Sequence, residues 1–294
     1  MDKKTLIQVL EKIKSLGCNS VHIGGGEPFL NLDGLNMVVE TTRSMDVQIE
    51  YVETNSSWYK DMESACQTLS SLRKKGLSTL LISISPFHNE HIPFYKVKGV
   101  MEACRTVNMN VFPWIPDFYP EIDAFDDKST HAISEYENTY GRNYLKRLPS
   151  RYWIHLGGRA LRTFAPVFGL KPWQEILSSN NGGCNELLDV NHFHFDLFGN
   201  YIPGLCSGLS IHCDDLGDAL SPEKYPILHS LFHNGIKGFY DLVASEYGFE
   251  PSKGYITKCH LCFDLRRYLV VSRGMNSREL QPKGIYENYE SKRA

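Results

Sequence analysis

From Leu6 to Ile115 the chain repeats one pattern four times, an amphipathic helix followed by a short apolar strand. That repetition limits its fold more than any other feature. Leu6, Val9, Leu10, Ile13 and Leu16 recur at helical spacing and stop at Gly17, and Ser20 to Ile23 then reads as a buried strand running into three glycines. Leu35 to Arg43 predicts a helix and Val47 to Val52 a strand. Met62 to Lys75 predicts a helix ended by Gly76, and Thr79 to Ser85 a strand. A helix at Val97 to Val107 and a strand at Asn110 to Ile115 complete the fourth repeat. Such alternation is the signature of an α/β fold with a parallel sheet or barrel.

The rhythm breaks after Pro116. Residues 116–150 are rich in aromatic and acidic side chains, with a helix expected between Ser129 and Lys146; Arg151 to Leu156 returns to strand character. Beyond Pro172 the pattern suggests an antiparallel hairpin, Phe193 to Leu197 and Tyr201 to Leu205, around Gly199-Asn200. His192, His194 and Asp196 would form its polar face, opposite Phe193, Phe195 and Leu197. Residues 274–294 are polar and without periodicity, as in a loose tail.

Composition excludes some functions. Among 294 residues, 42% are hydrophobic and 22% charged, which argues for a folded globular chain; the net charge of −3 offers no basic footprint for nucleic acid. Apolar runs such as Leu80-Leu81-Ile82 are too short to span a bilayer, and the N-terminus lacks a signal-peptide core, so the expectation is a soluble, cytoplasmic protein. Eight cysteines in such a setting point to thiols and metal rather than disulfides. Cys18, Cys66 and Cys104 are scattered through the first part. Cys184, Cys206, Cys213, Cys259 and Cys262 fall in the last 111 residues, which suggests a second domain with its own chemistry.

Polar residues gather at the carboxyl ends of the expected strands, where parallel sheets bind ligands. The first strand ends in Gly24-Gly25-Gly26-Glu27, the second in Glu53-Thr54-Asn55, and the third in Ser83-Ile84-Ser85 before Pro86-Phe87-His88. Strand periodicity would put Ser83 and Ser85 on one face. His88 and His91 follow on a loop. These glycines fit no phosphate-cradling pattern. A turn without a ligand, a salt-bridging role for Glu53 and solvated loop histidines are the alternatives.

In their order, Gly-Gly-Glu-Pro, Thr-Asn and Ile-Ser-Ile-Ser resemble the strand ends of the radical S-adenosylmethionine (AdoMet) enzymes. The resemblance covers about residues 1–165 and implies a partial (β/α)6 TIM-like barrel lacking its first strand. It further implies that Gly25, Gly26 and Glu27 meet the methionine ammonium of AdoMet, with Asn55, Ser83 and Ser85 near the ribose or substrate. The sequence departs from the family at one point: the 23 residues before Gly24 hold a single cysteine, Cys18, and no Cys-x3-Cys-x2-Cys. That loop binds the [4Fe–4S] cluster that delivers the electron to AdoMet. The expectation is a chain that cannot start radical chemistry alone, with weak AdoMet binding. Its first strand, bare on one side, would favour oligomers or poor solubility.

Residues 175–272 resemble the auxiliary-cluster domains, SPASM or the shorter twitch form, that follow such barrels. A hairpin carries one thiol, Cys206, and Cys259-His260-Leu261-Cys262 supplies a pair on what reads as a tight turn. The resemblance implies an auxiliary [4Fe–4S] cluster on Cys184, Cys206, Cys259 and Cys262, with Cys213 either a reserve ligand or a buried thiol. Four thiolates suit zinc equally. The family further implies a small-molecule or peptide substrate and a reductant protein such as a flavodoxin or ferredoxin. A non-catalytic iron–sulfur or zinc module is the other reading.

Overall fold

In the computed structural model, residues 1–289 are described, and they divide into two compact units, the first ending at Leu145 and the second beginning at Lys146.

The first unit realises the four repeats. Helices α1 (Lys3–Ser15), α2 (Leu32–Ser44), α3 (Met62–Lys75) and α4 (Phe94–Thr106) alternate with strands β1 (Ser20–Ile23), β2 (Gln48–Thr54), β3 (Thr79–Ser83) and β4 (Asn110–Trp114). The strands pair in parallel in the order β1-β2-β3-β4. Asp2 and Asp61 cap α1 and α3 through their carboxylates, and Gly76 ends α3 in the left-handed conformation that the sequence signal requires. The helices form a row, each touching the next, and bury Val9, Leu10, Val39, Leu69 and Val100. Val52, Leu80 and Ile82 are fully enclosed, whereas burial alternates along β4, so the sheet presents two different faces. On the other face His22 stacks on Tyr51 at 5.0 Å, and Tyr51 meets Phe112 edge-on at 5.5 Å.

Several expectations need correction here. The sheet is open, with four strands and no closure, so the (β/α)6 barrel is not formed among the described residues. Arg151 to Leu156 is not a strand. Helix Tyr144–Arg151 runs up to it, and residues 153–156 are irregular and line cavities of the second unit. A stretch of strand-forming residues needs a partner edge to become a strand, and here all four of Trp153, Ile154, His155 and Leu156 line one cavity instead. The single helix expected over 129–146 is broken at Gly141 into Ile133–Tyr140 and Tyr144–Arg151. Strand β3 stops at Ser83, because Ser85 instead caps the short helix Pro86–Asn89. Ser83 and Ser85 therefore do not share a strand face.

The second unit is built on α5 (Pro226–Tyr247) and α6 (Lys258–Arg267), the latter continued by a π-helical turn, Tyr268–Ser272. A small antiparallel sheet holds β5 (His194–Phe195), β6 (Asn200–Ile202) and β7 (Ile211–His212). The hairpin is present but shorter than expected. Asp196 leaves the polar face to form the turn, its carboxylate accepting from the backbone of Phe198 and Asn200 and from the Asn200 amide; Leu197 is exposed. Phe193 and Phe195 pack on Tyr201.

The expected loose tail is, through residue 289, anchored in this unit's core at a few positions. Leu280 and Tyr286 are buried. The Glu279 carboxylate accepts from the backbone N–H groups of Ile227 (2.8 Å) and Leu228 (2.7 Å), capping α5 from 51 residues away. Residues 290–294 of that tail lie outside the described residues. No described helix is long and apolar enough to cross a membrane.

Candidate metal centre

Of the two sites suggested by sequence, the strand-end site of the first unit is largely occupied by its own hydrogen bonds. Gly24, Gly25 and Gly26 are exposed beyond β1, and Gly25, at φ +131°, takes a conformation that favours glycine. Glu27 turns back to the end of β2. Its carboxylate accepts from the backbone N–H of Phe29 (3.1 Å) and Asn55 (2.7 Å) and from the Thr54 hydroxyl (2.9 Å). Burial pushes the Glu27 carboxyl upward, against the pull of these donors.

Thr54 is the centre of this network. Its oxygen also accepts from the Ser56 N–H and from Trp58 Nε1 (2.9 Å), and Trp58 stacks on Phe29 at 4.5 Å. Glu27 thus fastens two strand ends together. The Asn55 side chain accepts from Ser57 N–H, closing a local turn. Ser83 is half-buried at the end of β3, and Ser85 Oγ pairs with His88 Nδ1 at 2.7 Å. Glu53 lies near His22 (3.8 Å) and close to Gly24, where an added Cβ would meet its carboxylate at 3.3 Å.

In the second unit all four anticipated ligands, Cys184, Cys206, Cys259 and Cys262, line one cavity of about 260 Å³. They arrive by three separate local devices. Cys184 follows Gly182-Gly183, which press against a break in α5 at Gly235 (φ +63°). A Cβ on Gly183 would lie 2.0 Å from the Phe232 carbonyl, and the Cys184 N–H donates to Leu231 O at 2.8 Å. Only glycine permits this approach of backbone to backbone. Cys206 ends the turn Pro203–Leu205, whose Gly204 lies against the Glu186 carbonyl. Cys259 and Cys262 sit on the first turns of α6, capped by the Thr257 hydroxyl. The Cys-x2-Cys pair is thus helical rather than on a tight turn, and the i, i+3 spacing brings both thiols to one helix face.

Burial is the largest cause that pushes the Cys184, Cys206 and Cys259 thiols up. Burial and the Arg266 charge oppose each other at Cys206, whose thiol is pushed up to about 12. At Cys259 burial and then Cys262 push it to about 11. Cys184 is raised by burial and by its hydrogen bond to Glu186 (3.2 Å). No three of the four thiols lie within 4.8 Å of one another among the described residues, the closeness that His212, Cys213 and Asp214 do reach. Cys213 is a buried thiol directed at Asp214 and does not line the four-thiol cavity.

Arg266 is the residue of this cavity that sequence reasoning missed. It is 4% exposed and hydrogen-bonded to Ser207 O (2.9 Å), Tyr286 Oη (2.9 Å) and Cys262 O (3.3 Å). The signal was present: Cys259, Cys262 and Arg266 follow i, i+3, i+7 spacing on one helix face. Neither a protein-family model nor a curated protein matches this chain.

Proposed function

We propose that the second unit binds an iron–sulfur centre on Cys184, Cys206, Cys259 and Cys262, in a protein of the radical AdoMet kind. The observation that carries this reading is the convergence, on one cavity, of four thiols from three separate stretches of chain. The donor set fits the group, since [4Fe–4S] clusters are held by four cysteine thiolates. The same four thiolates would suit a tetrahedral zinc ion, and the iron–sulfur reading rests on the resemblance of residues 175–272 to the auxiliary-cluster domains. Bound there, such a cluster accepts or donates single electrons.

The parallel sheet of the first unit supports the AdoMet part of the reading. Because Glu27 is committed to Thr54 and Asn55, recognition of AdoMet at this end falls to the exposed backbone of Gly25 and Gly26. The cluster that starts radical chemistry needs a Cys-x3-Cys-x2-Cys, and these 294 residues contain none. The metal chemistry of this chain is therefore assigned to the second unit, as an auxiliary centre passing an electron or positioning a substrate.

Cysteine variants test the reading. After anaerobic reconstitution with ferrous iron and sulfide, C184S, C206S, C259S and C262S should each lose the sulfide-to-iron charge-transfer absorption that the wild type acquires. C213S and C18S should retain it. Equal absorption in all six variants would mean that iron sits elsewhere.

A further inference from the structure

The charge balance of the four-thiol cavity points beyond its ligands. Its lining includes two cationic side chains, Lys258 and Arg266, and no aspartate or glutamate among the described residues. Lys258 is answered by Glu186, which lies at 2.8 Å and outside the lining. Arg266 has no carboxylate partner among the described residues. Its hydrogen bonds all go to neutral groups, two carbonyls and a phenol, and its guanidinium lies over the Phe263 and Tyr286 rings at 5.6 and 5.7 Å. A guanidinium remains charged under all physiological conditions. Enclosing one without a counter-charge is costly, and buried charges are accordingly paired or set against metal sites.

The geometry holds this charge in place rather than letting it reach solvent. Tyr286 accepts from Arg266 and donates to Gly208 O at 2.6 Å, so the segment after Leu280 clamps the guanidinium from one side. Ser207, next to Cys206, holds it from another. The planar fork of arginine suits this divergent set of acceptors, which a lysine ammonium meets less well. A cavity that encloses a guanidinium and has no carboxylate in its lining among the described residues suits an anionic occupant. A cluster held by four thiolates is net negative at both oxidation levels, and more so when reduced.

We propose that Arg266 is the buried counter-charge of the four-thiol centre, retaining an anionic thiolate-bound group and raising its reduction potential. This rests on the iron–sulfur reading above and adds to it a positioning and potential-setting residue. The charge stabilises the more negative, reduced level over the oxidised one, and charge near a cluster is one of the factors that sets its potential.

The test uses the full chain, reconstituted anaerobically with ferrous iron and sulfide, as wild type, R266Q and R266K. Midpoint potentials are read by redox titration followed by electron paramagnetic resonance. In R266Q the balance should move at least tenfold toward the oxidised form, a midpoint about 59 mV or more to the negative for one electron. R266K keeps the charge while losing most of the hydrogen-bond fork, and should stay within about twofold of wild type. An R266Q midpoint equal to wild type, or an R266K midpoint displaced as far as tenfold, overturns the assignment of Arg266. Should R266Q not fold, R266K alone decides on that criterion. Failure of the wild type to take up iron and sulfide is a different result and overturns the underlying reading, whatever Arg266 does.

Discussion

Glu279 couples the C-terminal segment to α5 through two backbone hydrogen bonds, and its titration gives a stability signature that can be worked out in advance. Burial pushes its carboxyl from 4.5 up to about 7, against the two N–H donors of Leu228 and Ile227. At about 1.4 kcal/mol per pH unit, that rise corresponds to about 3 kcal/mol. The folded state binds the proton more tightly than the unfolded chain. The contribution is therefore complete below about pH 4.5 and is lost as pH rises through about 7. E279Q cannot titrate, and its amide accepts only one of the two N–H groups, a loss of roughly 1–3 kcal/mol relative to wild type at pH 4.5. Urea denaturation of both proteins from pH 4.5 to 8 gives the difference curve. The advantage of wild type over E279Q should shrink by up to about 3 kcal/mol across that range. A constant difference, or one that grows with pH, would refute the assignment of a buried, proton-binding cap.

Further predictions concern the framework of each unit. T54V removes the hydroxyl that joins Glu27 and Trp58, leaving both without that partner, and should lower the stability of the first unit by roughly 1–3 kcal/mol; T54S should restore most of it, and an unchanged melting temperature in T54V would contradict the network. G183A places a methyl group against the Phe232 carbonyl and should abolish or severely reduce iron uptake, whereas full uptake would show that Cys184 does not depend on this close approach. Because Cys206 and Cys259 are held protonated well above neutrality, metal loading at pH 7 should release at least about two protons per chain, measurable with a pH indicator in weak buffer; loading without proton release would mean that these thiols are not ligands.

The parts of the fold that were legible in the sequence are those governed by local periodicity. Leu6, Val9, Leu10 and Ile13 mark α1, and Gly76 marks the end of α3, because each signal acts within a turn or two of the chain. The four cysteines were also legible, since thiols in this number invite a shared ligand. What escaped was long-range. The strand character of Trp153, Ile154, His155 and Leu156 serves cavity walls and not a sheet edge, a difference that resides in the rest of the second unit. Glu279 and Tyr286 belong to a polar stretch without periodicity, and their burial depends on partners 51 and 20 or more residues away. Glu27 makes a further contact of this long-range kind, its carboxylate accepting from Thr54 and Asn55, which no local pattern predicts.

The central claim, an iron–sulfur centre on four thiols, is tested most directly by counting iron, acid-labile sulfide and zinc in the anaerobically reconstituted wild-type protein. The account predicts about four iron and four sulfide per chain with zinc absent. About one zinc per chain, without iron or sulfide, would contradict it and make the cavity a structural zinc site.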